Sequence, residues 1–270
     1  MKKTIVFKCG GSVIRELSEE FFDNLKELMA SGWKLAIVHG GGPEITNMLK
    51  RLNIKTEFSG GQRKTTKPVL EVAEMVLSGS VNKFFVAELA KHGLRAAGIS
   101  GKDGGLLEAD YLDPETYGEV GEIKKVDASM VNALMEKGII PVIAPLSMTR
   151  DCKTLNVNAD LAASAVAGAL EADKLMFVTD VDGIMKDKQR LDVLTPEEVQ
   201  MLIKQEVITG GMIPKVNSAL SALTDQVTEV MIVNGKGSFF AEQTFQGTKL
   251  LKQRRLFHEQ LVSNLRTLGY

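Results

Sequence analysis

The sequence predicts an α/β fold, a parallel sheet covered by helices on both faces. Short apolar, β-branched runs alternate along the chain with longer stretches whose apolar residues recur at helical spacing. Several of the runs end directly in glycine turns, as strands do when their carboxyl ends face a ligand. A length of 270 residues with 44% hydrophobic and 25% charged content is enough for a sizeable core.

The first stretch, Thr4-Ile5-Val6-Phe7-Lys8-Cys9-Gly10-Gly11, reads as a buried strand that ends in a lysine and runs into a tight turn. The glycines let the backbone approach an anion, and the Lys8 ammonium projects into the same space. Ser18 suits a helix N-cap, and Phe21, Phe22, Leu25, Leu28 and Met29 give that helix one apolar face, stopped by Gly32. Residues 35–38 are the next strand, running into His39-Gly40-Gly41-Gly42-Pro43. Pro43 opens a helix over 44–52. Strand, glycines and helix N-terminus together make an anion site. The spacing is not GxGxxG, which argues against a nicotinamide oxidoreductase. His39 reads as a structural residue at a strand end.

Residues 54–67, with Gly60-Gly61 in the middle, read as a polar hairpin or flap carrying Arg63. A long helix follows over 68–91, interrupted mildly at Gly79 and Ser80. Apolar residues on more than one of its faces (Val81, Phe84, Phe85, Val86) call for a second surface against which to bury. Residues 94–100 form a strand ending in a glycine-rich turn, and 106–128 a second hairpin. Ser129 is expected to cap a helix to 137, and 139–144 is a strongly buried strand. In the second half, 160–170 is an alanine-rich helix, 174–179 a strand ending in Asp180-Val181-Asp182-Gly183, and Thr195-Pro196-Glu197-Glu198 a capping box. Gly210-Gly211-Met212-Ile213-Pro214-Lys215 leads into a helix ending near 226. Residues 230–233 and 248–251 are the last strands. Residues 1–145 and 146–252 are expected to form two lobes of one sheet. In 253–270, Phe257, Leu261, Leu265 and Leu268 repeat as in an amphipathic helical extension.

A net charge of −1 without a basic block excludes nucleic acid as an expected partner. Cys9 and Cys152 are the only cysteines and form no CxxC pair, so neither a disulfide framework nor a zinc site is expected. No apolar run approaches the roughly 18 residues of a membrane helix, and the reading is a soluble cytoplasmic protein. Lys8, Asp160 and Lys215 each stand beside a glycine turn or a helix start. Phosphoryl transfer needs positive charge on the transferring group, and two lysines with two glycine turns supply it. A nucleotide-binding regulatory protein without catalysis would not need these three charges together.

The motifs Lys8-Cys9-Gly10-Gly11, His39-Gly40-Gly41-Gly42, Asn156-Val157-Asn158-Ala159-Asp160, Asp180-Val181-Asp182-Gly183 and Gly211-Met212-Ile213-Pro214-Lys215 stand in the order seen in the amino acid kinase family, which the chain resembles over about 3–252. The resemblance implies a three-layer sandwich with a central, mainly parallel eight-stranded sheet. Its N-terminal lobe would bind the acid and its C-terminal lobe ATP with Mg2+. Gly61-Gln62-Arg63-Lys64-Thr65 and Asn156 point within the family to N-acetyl-L-glutamate as acceptor, in arginine biosynthesis. A related carboxylate such as carrier-bound aminoadipate is the alternative. The same resemblance gives Lys8 and Lys215 the transition-state charge, and Asp160 the task of holding both ammoniums. Gly10 and Gly11 would meet the β- and γ-phosphates, and Gly41 and Gly42 the transferred group and substrate. Arg63 and Asn156 would grip the substrate's α-carboxylate. Thr179, Asp180, Val181, Asp182, Gly183, Ile184, Gly211 and Met212 would shape the nucleotide pocket. No residue is assigned as a metal ligand. The helix over 68–91 is expected to form a homodimer seam. With the first strand starting near Lys3, no preceding helix of the kind that accompanies arginine inhibition is expected.

Overall fold

The structure, a computed structural model, describes residues 3–252. The expected helical extension at 253–270 lies outside the described residues. Eight strands form the central sheet: β1 (Thr4–Cys9), β2 (Lys34–His39), β3 (Ala96–Ser100), β4 (Ile140–Ala144), β5 (Lys174–Thr179), β6 (Val193–Leu194), β7 (Glu229–Asn234) and β8 (Thr248–Leu251). Their order is β6-β8-β7-β5-β1-β2-β4-β3. The pairs are parallel except β7–β8, so β6 and β8 run against the other six at one edge.

Besides two four-residue turns of helix at Gly11–Ile14 and Pro114–Tyr117, the helices are α1 (Glu19–Ala30), α2 (Gly42–Arg51), α3 (Lys67–Glu74), α4 (Asn82–Lys91), α5 (Ser129–Glu136), α6 (Ala159–Ala169), α7 (Pro196–Lys204) and α8 (Met212–Ser221). The period-2 alternation of the strands sorts them into two layers. Ile5, Phe7 and Cys9 of β1, with Leu35 and Ile37 of β2, face α1 to α4. Val6 of β1, with Ala36 and Val38 of β2, faces α5 to α8. Lys8 follows Val6 by two residues and so points to the second layer, where α6 and α8 begin. The three-layer sandwich is therefore as expected.

Local signals operate where they are expected. Ser18 Oγ accepts from the Phe21 amide, and Thr195 and Glu198 close a reciprocal capping box on α7. Ser129 does not cap α5. The serine is the first residue of that helix, and Asp127 Oδ1 accepts from its amide at 3.0 Å, doing the work two residues earlier. The long helix over 67–91 is interrupted more than expected, because Met75–Val81 between α3 and α4 is a π-helical segment.

Two smaller assemblies flank the sheet. The hairpin Glu57–Ser59 and Gln62–Lys64 is the expected flap. The hairpin Leu107–Tyr111 and Gly121–Val126 joins Leu146–Met148 and Thr154–Asn156 in a four-stranded side sheet. This sheet hands over Asn156 next to the flap, since Thr65 donates its amide to Tyr117 O at 2.8 Å and Glu119 donates to Thr65 O at 2.7 Å.

Candidate active site

The site begins where β1 and β2, adjacent and parallel, end together. Gly40 N–H donates to Cys9 O at 2.9 Å, so the two glycine turns leave the sheet side by side. A Cβ built on Gly11 would stand 2.9 Å from Gly41 Cα and 3.0 Å from Pro43 Cδ. Only a residue without a side chain lets the turns touch, so the glycine pair is a packing requirement as well as an anion-binding feature. α2 starts at Gly42 with Pro43 in its first turn, and its positive end faces the same space.

Lys8 forms an ion pair with Asp160 at 2.6 Å, both side chains being about five-sixths covered (16% and 15% exposed). Its ammonium also lies 5.4 Å from the Phe177 ring centroid. Asp160 is in the first turn of α6, whose N-cap Asn158 accepts from the Asp160 amide at 2.7 Å. Lys215 comes from the first turns of α8. It pairs with Asp180, which directly follows β5, and not with Asp160. Holding both ammoniums through Asp160 alone is thus not the arrangement here: each lysine meets the carboxylate at the end of its own neighbouring strand or helix. Lys215 holds the Asp180 carboxyl below the usual carboxylate range through their hydrogen bond.

Lys8, Gly10, Thr179, Asp180 and Lys215 line one open cleft of about 180 Å³ with Phe177 and Pro214. Val181, Asp182, Gly183, Gly211 and Met212 do not line it. Asp182 instead accepts from Asn234 Nδ2 at 2.7 Å. Ile184 is buried, at 1% exposure, in the second core layer, so its side chain packs the lobe and does not reach into the cleft. Its amide donates to Thr248 Oγ1 at 2.8 Å, and Gly183 at φ +133° makes room for that hydroxyl.

Arg63 projects from the flap toward the start of α2. Its Nη1 donates to Thr56 Oγ1 at 2.6 Å, and Nη2 to Thr46 Oγ1 at 2.8 Å and to Gly42 O at 3.1 Å. The guanidinium lies 4.6 Å from the Phe58 ring centroid. Arg63 is buried, and among the described residues no carboxylate pairs with it. Asn156 Nδ2 donates to Thr65 Oγ1 at 3.2 Å, and that hydroxyl donates to Arg63 O at 3.0 Å. The structure therefore links Arg63 and Asn156 through Thr65. Thr46 and Thr56 are missed by the sequence reading, since a lone threonine carries no signal until its partner is known, while Thr65 stands in the flap motif read there.

Neither buried acid–base candidate is a base for chemistry. Burial pushes the Cys9 thiol up to about 12. Burial pulls His39 down to about 4, with the Lys83 charge acting in the same direction. His39 is fully buried at the end of its strand, the position expected of it. Among the described residues no helix is long and apolar enough to cross a membrane.

The amino acid kinase family model matches residues 3–234. Acetylglutamate kinases of Bacillus amyloliquefaciens and Bacillus subtilis strain 168 are each 94% identical over 254 residues, covering 94% of this chain and 98% of theirs. An acetylglutamate kinase of Geobacillus kaustophilus is 52% identical over 253 residues, with the same shares covered. A solved protein of Streptococcus mutans UA159 superposes with a TM-score of 0.79 at 33% identity, covering 94% of this chain and 100% of that one. Giardia lamblia carbamate kinase bound to AMP-PNP, at TM-score 0.62 and 16% identity over 93% of this chain and 99% of its own, shares the fold.

The histidine generates a prediction about acid stability. The unfolded chain takes a proton on His39 at the ordinary 6.5, whereas the folded protein resists until about 4. Stability from this residue is therefore full above pH 6.5 and is lost as pH falls toward 4, by on the order of 3 kcal/mol. Urea titrations between pH 7.5 and 4.5 should show a steeper acid loss in the wild type than in His39→Asn. Parallel curves would refute the buried neutral imidazole.

Proposed function

This chain belongs to the amino acid kinase family, and on that premise we propose that it transfers the γ-phosphoryl group of ATP to the side-chain carboxylate of N-acetyl-L-glutamate. The 94% identity with two acetylglutamate kinases over nearly the whole chain supports that substrate and a place in arginine biosynthesis. The single geometric observation that carries the reading is the pair of half-buried lysines, Lys8 and Lys215, on one cleft beside the two touching glycine turns.

In this reading the acceptor needs no general base. A free carboxylate with a pKa of about 4 is ionised at neutral pH. One of its oxygens bonds to the γ-phosphorus as the bond to the β–γ bridging oxygen breaks, giving an acyl phosphate and ADP. The developing charge is met by Lys8, held by Asp160, and by Lys215, held by Asp180. Gly10, Gly11, Gly41 and Gly42 direct backbone amides at the phosphates and the acceptor. Arg63 holds the acid's α-carboxylate with Asn156 beside it. The buried guanidinium has hydroxyl and carbonyl acceptors but no counter-charge, and a carboxylate would provide one. Thr179 and Asp180 shape the nucleotide side of the cleft.

Magnesium fits as a partner of the nucleotide. Among the described residues no group of three or more His, Cys, Asp or Glu could hold a metal, so the ion would be carried by phosphate and water oxygens. When bound, it neutralises phosphate charge. The chemistry fits a cytoplasmic enzyme that draws on soluble ATP.

The residues up to 145 form the acid-binding lobe and 146–252 the nucleotide lobe. The assembly proposed is a twofold homodimer. α4 borders an open groove of about 510 Å³ lined mainly by apolar residues (Val86, Ala90, Leu94, Ala96, Ala97 and Ile139), with Gly93 and the charged Arg95 beside them. β3 is the outer strand at that end of the sheet. A sheet edge and an apolar helix flank side by side are surfaces that a second copy would cover.

Three measurements test the reading. Lys8→Ala or Lys215→Ala should lower kcat by roughly a hundredfold or more in an ATP, magnesium and hydroxylamine assay. Near-wild-type turnover would sink the charge role. Arg63→Lys, unable to grip a carboxylate with two parallel bonds, should raise KM for N-acetyl-L-glutamate about tenfold or more and leave KM for ATP nearly unchanged. An unaltered acid KM would make Arg63 a flap residue only. Light scattering at micromolar concentration should give the mass of two chains, and a monomer would refute the dimer.

A further inference from the structure

Behind the second glycine turn lies a polar cluster that takes no part in the steps above. Asn82, the first residue of α4, is fully buried. Its Nδ2 donates to Val142 O at 2.8 Å and to Ile99 O at 3.2 Å, and lies 3.1 Å from Nε2 of His39. Its Oδ1 accepts from Lys83 Nζ at 3.1 Å, which fixes the end of the amide that faces the histidine. The amide nitrogen only donates, its two protons shared among three acceptors, and the Gly40 carbonyl beside Nδ1 only accepts, so Nε2 is the acceptor nitrogen of the ring. The ring proton is then on Nδ1, where Gly40 O accepts it at 2.9 Å.

The surrounding sequence makes room for this amide. A Cβ at Gly98 would stand 1.9 Å from Asn82 Oδ1, so only glycine fits there. The π-helical segment ends at Val81, immediately before Asn82. From that segment Leu77 and Val81 reach the turn directly, 2.8 Å and 3.3 Å from where a Cβ of Gly41 would be. Such segments concentrate at functional sites. One helix therefore touches the glycine turn twice, through apolar atoms at Gly41 and through a hydrogen-bonded chain at Gly40. A buried polar chain costs stability unless every member is satisfied.

We infer that Asn82 and His39 are positioning residues for phosphoryl transfer, acting on the turn through the Gly40 carbonyl. The inference rests on the function proposed above. The Gly40 carbonyl and the Gly41 N–H belong to one planar peptide unit. Fixing the carbonyl by the Nδ1–H of His39 therefore fixes the direction of the Gly41 amide, one of the donors given to the acceptor and the transferred group. Neither Asn82 nor His39 touches substrate. Asn82 and the Gly40 carbonyl hold the ring between them in one tautomer, and the peptide turns that into orientation.

The test compares three variants with wild type by kcat, both KM values and thermal melting. An asparagine at 39 places a donor near the position of Nδ1, whereas a glutamine reaches toward Nε2 and leaves Gly40 O without its donor. His39→Asn should keep kcat within about threefold of wild type, and His39→Gln should lose about tenfold or more. Asn82→Asp, which replaces the donor with an acceptor, should lose about tenfold or more as well. KM for ATP should stay within about twofold throughout. Equal kcat in the two histidine variants, or wild-type kcat in Asn82→Asp, would overturn the inference. So would loss of folding in both histidine variants, which would assign the pair to core stability. If Asn82→Asp alone fails to fold, the histidine pair decides. Wild-type protein without turnover of N-acetyl-L-glutamate would count against the proposed function and not against this inference.

Discussion

The arrangement depends on one close approach, that of the backbone at Gly11 to the backbone at Gly41. Two neighbouring parallel strands normally deliver their loops about 4.8 Å apart, with side chains between them. Here the loops touch, because Gly11 has nothing to interpose, while the bare face of Gly41 admits Leu77 and Val81. The contact brings two sets of amides and the N-terminus of α2 to one spot. It also decides where everything else must stand. Lys8 emerges on the α6–α8 side because it is two residues from Val6, and α6 must then present an anion to it. Leu77 and Val81 close over Gly41 from the other side of the sheet. The glycine contact is thus shared by both core layers.

A cleft that gathers cations must keep them from repelling one another and from seeking water. The solution is distributed pairing. Lys8 has Asp160 and Lys215 has Asp180, with each carboxylate on a different element from its lysine. A single shared aspartate would tie the two lysines at a fixed distance. Separate partners let each lysine be fixed by the element that faces it. The buried thiol of Cys9 and imidazole of His39 stay neutral at working pH, so they add no competing charge at the end of the sheet.

Much of this was legible in the chain. Strand runs flow into glycine turns at Gly10 and Gly40, and caps at Ser18 and Thr195 use neighbouring residues, so local sequence suffices. The flap and its Arg63 followed from polar residues around Gly60-Gly61. What escaped depends on partners far away in sequence. Asp180 is 35 residues from Lys215 and Thr65 is 91 from Asn156. Ile184 stands in a glycine-bearing motif and is turned into the core by the hydroxyl of Thr248, 64 residues on. Ser129 looked like a cap because serine often is one, yet Asp127 competes from two residues earlier and wins with a carboxylate. Asn82 carried a readable sign, a lone amide within an apolar helical stripe. Its meaning required Gly98 and His39 in place.

The flap shows how stability and recognition divide. Arg63 loses hydration on burial, and three neutral oxygens replace its water. Hydroxyls and a carbonyl satisfy its donors one by one, but they leave the positive charge uncompensated in a medium of lower dielectric. An acidic side chain there would be the more stabilising partner, and it would also compete with a carboxylate ligand. Neutral acceptors keep the guanidinium aimed while leaving its charge uncompensated. Thr46 and Gly42, two of these acceptors, belong to the start of α2, the same helix end that follows the second glycine turn. A ligand gripped by Arg63 is therefore registered against Gly42 through the same atoms that hold the arginine. That coupling ties the flap to the second glycine turn, so a shift of either is felt by the other.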